Sequence, residues 1–84
     1  MSTLDLRLRA IVRDLTQAAI PPEGEVRFST LPGWDSVTHL HLLLDVERTF
    51  DLEIPDTIGM SLQSIGALHD YIAAQRPGLA GGGG

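Results

Sequence analysis

With 84 residues, 43% of them apolar and 20% charged, the chain has the material for one small domain with a core and too little for two. Eleven acids face six cations, all arginine, and the net charge of −5 excludes the clustered positive charge that nucleic-acid binding requires. Cysteine is absent, which excludes disulfides, thiolate metal sites and a cysteine nucleophile; any thiol chemistry needs a sulfur brought from outside.

Residues 3–19 read as an amphipathic helix. Leu4, Leu8, Ile11, Leu15 and Ala19 recur at steps of three and four, with Thr3 as the expected cap and Pro21-Pro22 as the stop. The segment Met1 to Arg13 carries charges every few residues, unlike a secretion signal. No apolar run approaches the roughly 20 residues of a membrane span. A cytoplasmic protein that does not engage a membrane is the expectation. Residues 20–34 form a long connection punctuated by Pro21-Pro22 and Pro32-Gly33, yet holding Ile20, Val26, Phe28, Leu31 and Trp34. So apolar a loop is expected to pack on the domain.

Asp35 to Phe50 reads as the second helix, with Asp35 as its cap. Its apolar residues cover more than one stripe: Leu42, Leu43, Val46 and Phe50 share one side, while Val37, Leu40 and Leu44 lean to another. A helix of that kind is central in a bundle or has a second partner. Asp56 to Met60 reads as a short third helix capped by Asp56. Ser64 caps a last helix with Ile65, Leu68 and Ile72 inward, although Gly66 inside it costs about 1 kcal/mol relative to alanine. Pro77 and Gly78 end it. The expected architecture is an all-α four-helix bundle, three long helices and one short third helix, over residues 1–76, followed by a flexible glycine-rich tail over 77–84.

The chemistry-bearing candidate is Gly33-Trp34-Asp35-Ser36-Val37, where the long loop meets the second helix. Ser36 falls at the first helical position, where the amides and the dipole favour an anion on its hydroxyl. Taken alone, Asp35-Ser36 also fits an ordinary capping pair.

The stretch from Leu31 to Asp56, LPGWDSVTHLHLLLDVERTFDLEIPD, resembles the acyl carrier protein family. The shared features are Asp35-Ser36-Val37, a helix ending in Glu47-Arg48-Thr49-Phe50, and the exit Glu53-Ile54-Pro55. Ser64-Ile65, Leu68 and Tyr71-Ile72 resemble the family's last helix, so the likeness runs in order over roughly residues 3–75. The resemblance implies that Ser36 carries 4'-phosphopantetheine, transferred from coenzyme A by a separate phosphopantetheinyl transferase, with Asp35 shaping the site. The thiol of that arm would hold acyl groups as thioesters for acyl-loading and acyl-processing enzymes. The protein itself would be a monomer and not an enzyme. Val37 stands where the family usually has leucine. Thr38, His39, His41 and Arg48 make the second helix less acidic than that of fatty-acid carriers. These departures separate it from carriers of primary fatty-acid synthesis, and the expectation is a standalone carrier in a fatty-acid-like, polyketide or other specialised biosynthetic pathway.

Residues 35–56 hold six acids against Arg48 alone, while the rest of the chain balances five acids with five arginines. Asp45, Glu47, Asp51, Glu53 and Asp56, with Val37 and Leu44, are the expected partner surface, steering a basic partner. His39, His41 and His69 are expected at the surface, because no third or fourth ligand accompanies them for zinc. No base is spaced to activate Ser36 as a hydrolytic nucleophile. Leu42, Leu43, Val46, Ile54, Ile65 and Leu68 are expected to form the core, with an acyl-binding role left open. Two alternatives stand beside the acyl carrier: an aminoacyl or peptidyl carrier, and a helical interaction module whose serine is never modified.

Overall fold

Helix α1 begins at Thr3 and runs to Thr16 in a computed structural model that describes residues 3–80. Leu4, Leu8 and Val12 are its fully buried residues, a stripe of four-residue steps. Ile11 and Leu15, expected at the centre of that stripe, flank it half-buried, and Ala19 lies outside the helix. Thr3, expected as the cap, is the first helical residue. The helix also ends earlier than Pro21-Pro22 suggests. The Thr16 hydroxyl donates to the Val12 carbonyl at 2.8 Å and accepts from the Ala18 amide at 3.2 Å. Gln17 turns into the left-handed region at φ 57°. Local side-chain bonding of this kind competes with the next helical turn.

The long connection packs on the domain, as its apolar content requires. Phe28 is fully buried within a 3-10 turn, Phe28–Thr30, and Val26 is buried beside it. Arg27 and Ser64 form an isolated antiparallel bridge: the Phe28 amide donates to the Gln63 carbonyl at 2.9 Å and the Ile65 amide to the Val26 carbonyl at 3.0 Å. At the other end, Arg9 of α1 donates to the Pro21 carbonyl at 2.7 Å and the Gly24 carbonyl at 2.6 Å. The same guanidinium is held by Asp5 at 2.8 Å. The loop is therefore fastened along its length.

Helix α2 spans Ser36–Phe50, α3 Asp56–Gly59 and α4 Ile65–Gln75. The expected all-α bundle is present, with no strand among the described residues. Asp56 is not the cap of α3; Pro55 takes that position without a side-chain bond, and Asp56 sits inside the first turn, where its charge suits the helix dipole. Pro77 ends α4 and opens a further turn, α5, Pro77–Ala80, proline being well tolerated at a first helical position. Leu79 of α5 packs on the core, so the start of the segment expected as a flexible tail is structured; residues 81–84 lie outside the described residues.

Helix α1 lies against α2 and α4, and α5 covers α1 and α4. Leu42, Val46, Ile65, Leu68 and Ile72 have no exposed surface, and Leu43, Phe50 and Ile54 complete the core nearly as fully buried. Each such side chain contributes roughly 1.5–3 kcal/mol through burial. The arrangement leaves one face of α2 bare: Val37, Leu40 and Leu44 are exposed.

Candidate functional site

The start of α2 is built from the loop upward. Gly33 takes φ 72°, a left-handed turn that side chains resist, although nothing lies within 4 Å of where a Cβ would be. The Trp34 amide donates to the Leu31 carbonyl at 3.2 Å, closing that turn. The Trp34 ring stacks on Phe28 with centroids 4.8 Å apart and planes 16° from parallel. Asp35 is extended, and its carboxylate Oδ1 accepts from the Thr38 amide at 2.8 Å, capping α2 as the sequence indicated. That amide bond, joined by the Thr38 hydroxyl, holds the Asp35 carboxyl below its ordinary range, with a smaller pull from His41.

Ser36 is exposed, and its hydroxyl has no hydrogen-bond partner among the described residues. It stands on the first turn of a 15-residue helix, at the positive end of the helix dipole. A phosphate ester on this oxygen would meet no blocking side chain and would lie in a favourable field. Beside it opens a cleft of about 200 Å³ lined by Trp34, Asp35, Ser36, His39, Met60 and Gln63.

His39 corrects the expectation of a surface histidine. It is 2% exposed, and its Nε2 donates to the Gly59 carbonyl at 2.9 Å, joining α2 to the end of α3. Its ring stands edge-on to Phe28 at 5.5 Å and to Trp34 at 5.8 Å. A histidine one turn into the helix was read beside exposed His41; its burial follows from Phe28 and Gly59, which are distant in sequence. Gly59 is close-packed as well, since a Cβ there would come within 2.5 Å of Leu43 Cδ1. His41 is exposed, and His69 lies 3.2 Å from Asp70. No cluster of three metal-ligating side chains exists among the described residues.

The seven residues expected as a partner surface do not form one patch. Val37 and Leu44 are exposed together with Leu40, which the surface had lacked. His41 and Arg48 run down the middle of this same helical face, and Asp45 is half-buried at its edge. Leu15, His41, Leu44, Asp45 and Arg48 line a cleft of about 330 Å³ between α1 and α2. Glu47, seven residues after Leu40, lies at the opposite edge of this face half-buried, and its Oε2 accepts from the Ile54 amide at 3.0 Å, bracing the chain after α2. Asp51 ends α2 in the left-handed region at φ 52°, and its carbonyl accepts from Arg76 at 2.8 Å. Glu53 and Asp56 are exposed around the exit. Asp51, Glu53 and Asp56 therefore lie around the far end of α2, while Asp45 and Glu47 border the exposed face, which is apolar next to Ser36 and carries two basic groups.

The second long helix start, that of α4, bonds differently. Ser64 accepts from the Ala67 amide at 3.1 Å, and Glu25, from the long loop, accepts from the Gly66 amide at 2.8 Å and the Ser64 hydroxyl at 3.2 Å. Sequence reasoning missed Glu25; the only signal was the unexplained glycine at 66, whose Cβ would meet a Glu25 carboxylate oxygen at 2.6 Å.

No family model matches the chain. The chain is similar to the mitochondrial acyl carrier protein of Saccharomyces cerevisiae, at 45% identity over 51 residues. The match covers 61% of this chain and 41% of that protein, so it spans about two fifths of the relative's length.

Proposed function

We propose that this chain is a carrier of the acyl carrier protein family and holds acyl groups as thioesters on a 4'-phosphopantetheine arm attached to Ser36, a reading supported by its similarity to the mitochondrial protein. The observation that carries the reading is Ser36 itself: exposed, with an uncommitted hydroxyl, on the first turn of α2 behind a neighbour whose carboxylate is engaged elsewhere. The residues fit the group. The helix dipole favours its phosphate, and the cleft beside Ser36 leaves room for the atoms that follow. When bound, the arm supplies the thiol that a chain without cysteine lacks.

The roles of the protein's own residues follow. Asp35 fixes the first turn so that Ser36 faces solvent, where a transferase can reach it. Phe28 and Trp34 brace that turn from below. Val37, Leu40 and Leu44 offer acyl-processing enzymes an apolar contact next to the attachment point, with Arg48 and His41 between them and the acids beyond. Tethering raises the effective concentration of the cargo at each enzyme. The pathway served is a fatty-acid-like, polyketide or other specialised biosynthesis.

The test is intact mass after incubation of the purified protein with coenzyme A and a broad-specificity phosphopantetheinyl transferase. The expected result is a gain of one phosphopantetheine in the wild type and none in Ser36→Ala. No gain with several transferases would sink the carrier reading and favour a helical interaction module.

A further inference from the structure

The middle of the exposed α2 face is basic. At about 100° per residue, Val37, Leu44, Arg48 and His41 fall within about 60° of one another, with Asp45 and Glu47 about 80° to either side of Val37. Arg48 and His41 are exposed, and neither has an ion pair or a hydrogen bond among the described residues. His41 exerts only a small pull on Asp35. Asp45 and Asp51 stand one turn before and one turn after Arg48, yet neither bonds it. The Glu47 carboxylate is committed to the Ile54 amide. The Arg48 guanidinium therefore keeps its whole fork of donors for an incoming group. Leu44 beside it and Leu15 of α1 supply the apolar lining of their shared cleft of about 330 Å³.

We propose that this face docks a partner protein whose contact surface carries a carboxylate among apolar side chains, the carboxylate seating in the cleft between α1 and α2 on Arg48 and His41. The inference rests on the carrier reading of Ser36 and names the class of partner that reading needs. Arginine meets a carboxylate through two parallel hydrogen bonds. His41 adds a ring N–H in either protonation state. Apolar side chains around that carboxylate cover Val37, Leu40 and Leu44 and keep water from the pair. Asp45, half-buried at the cleft edge, selects an uncharged donor beside the carboxylate and rejects a second acid there. A partner presenting lysine in the cleft would set like charges together, which is costly. The net charge of −5 does attract basic proteins from a distance, but exposed charges more than about 8 Å apart are largely screened at physiological salt. At contact, the two groups in the middle of the face decide. The acidic partner replaces the basic one that the charge count along residues 35–56 suggests. Ser36 lies about two turns before Leu44, so a partner seated here has the attachment point beside it.

The test uses the protein loaded from coenzyme A, with loading read by intact mass, and two synthetic amphipathic helical peptides as probes. The peptides share one apolar face and differ only in its flanking residues, glutamate in one and lysine in the other. Amide NMR shifts report binding. The glutamate peptide is expected to bind roughly ten-fold more tightly than the lysine peptide. Its shifts should centre on His41, Leu44 and Arg48, and the difference should shrink at about 1 M salt. The double variant His41→Glu with Arg48→Glu, at two exposed positions, should stay folded by circular dichroism and reverse the preference. His41→Gln with Arg48→Gln should abolish it. Equal binding of the two peptides, a preference for the lysine peptide, shifts centred elsewhere, or no binding of either up to millimolar peptide would overturn the docking inference and leave the attachment at Ser36 intact. Failure to load would overturn the carrier reading on which the inference rests.

Discussion

Helices α2 and α4 both start on a short polar side chain that accepts from the amide three residues on, Asp35 from Thr38 and Ser64 from Ala67. Beyond that they part. At α4 the chain brings its own anion, Glu25, from 41 residues away onto Gly66, and the bridge through Arg27 seals the loop over the helix start. At α2 no remote side chain arrives among the described residues, and the next residue is a serine with an uncommitted hydroxyl. Both helix starts have the field that attracts negative charge. One has satisfied it internally, and the other presents it to solvent. On the proposed reading of Ser36, the place of attachment is set as much by how α4 is closed as by how α2 is left open.

The largest expected effect comes from removing what supports both starts. Phe28 lies under Trp34 on one side and donates its amide next to α4 on the other. Phe28→Ala is expected to cost about 3–5 kcal/mol in urea denaturation, with Trp34 emission shifting to the red in the folded protein. A loss under 1 kcal/mol would mean the two starts are braced separately. Next comes the closed start. Glu25→Ala should cost about 1–2 kcal/mol, because the Gly66 amide loses a charged acceptor. Gly66→Ala is expected to be neutral or destabilising in the wild type, where the new methyl displaces Glu25. In the Glu25→Ala background the same change should stabilise by about 1 kcal/mol, the ordinary helical preference for alanine. Equal effects in both backgrounds would show that Glu25 does not hold α4 in solution.

The open start sharpens the comparison through pH. The Asp35 carboxyl lies below its ordinary value chiefly because the Thr38 amide bonds the charged form. Its stabilising contribution is therefore complete above the unfolded value of about 3.9 and is lost as pH falls through the lower folded value. Asp35→Asn retains a capping oxygen without the titration, so its stability should fall less steeply below about pH 4. Parallel acid-unfolding curves would break this account. The smallest effect belongs to the far end of α2. Asp51 places a negative charge at the negative end of the helix dipole and in a left-handed conformation that asparagine adopts more readily. Asp51→Asn should raise stability by roughly 0.5 kcal/mol, read as a small rise in melting temperature.

What the sequence made legible were the features that local pattern determines. Asp35 and Ser64 were readable as caps, and the inward stripe Ile65, Leu68 and Ile72 followed from spacing. So did the placement of Ser36 at the head of α2. The features that escaped depend on partners far along the chain. Glu25 sits among prolines and glycine and reads as a loop residue, since nothing local announces Gly66 as its target. His39 reads as a surface residue until Phe28, Trp34 and Gly59 close around it. Glu47 reads as one more acid until the chain turns back and presents the Ile54 amide. The layout of the expected partner residues depends on the helix as well as on charge. Counting charge over residues 35–56 gives an acidic segment, whereas the helical repeat sets His41 and Arg48 between Asp45 and the apolar residues beside Ser36.

The zipper between the long loop and α4 also bears on how the protein meets proteases. Arg27 is the sole trypsin site between Arg13 and Arg48, and it pairs across to Ser64. A protease needs an extended strand free of such pairing, so cutting after Arg27 requires the loop to peel away first. Digestion at that bond therefore acts as a clock for local opening, and its rate reports how often the floor beneath Trp34 and Ser36 comes loose while the rest of the bundle stays folded.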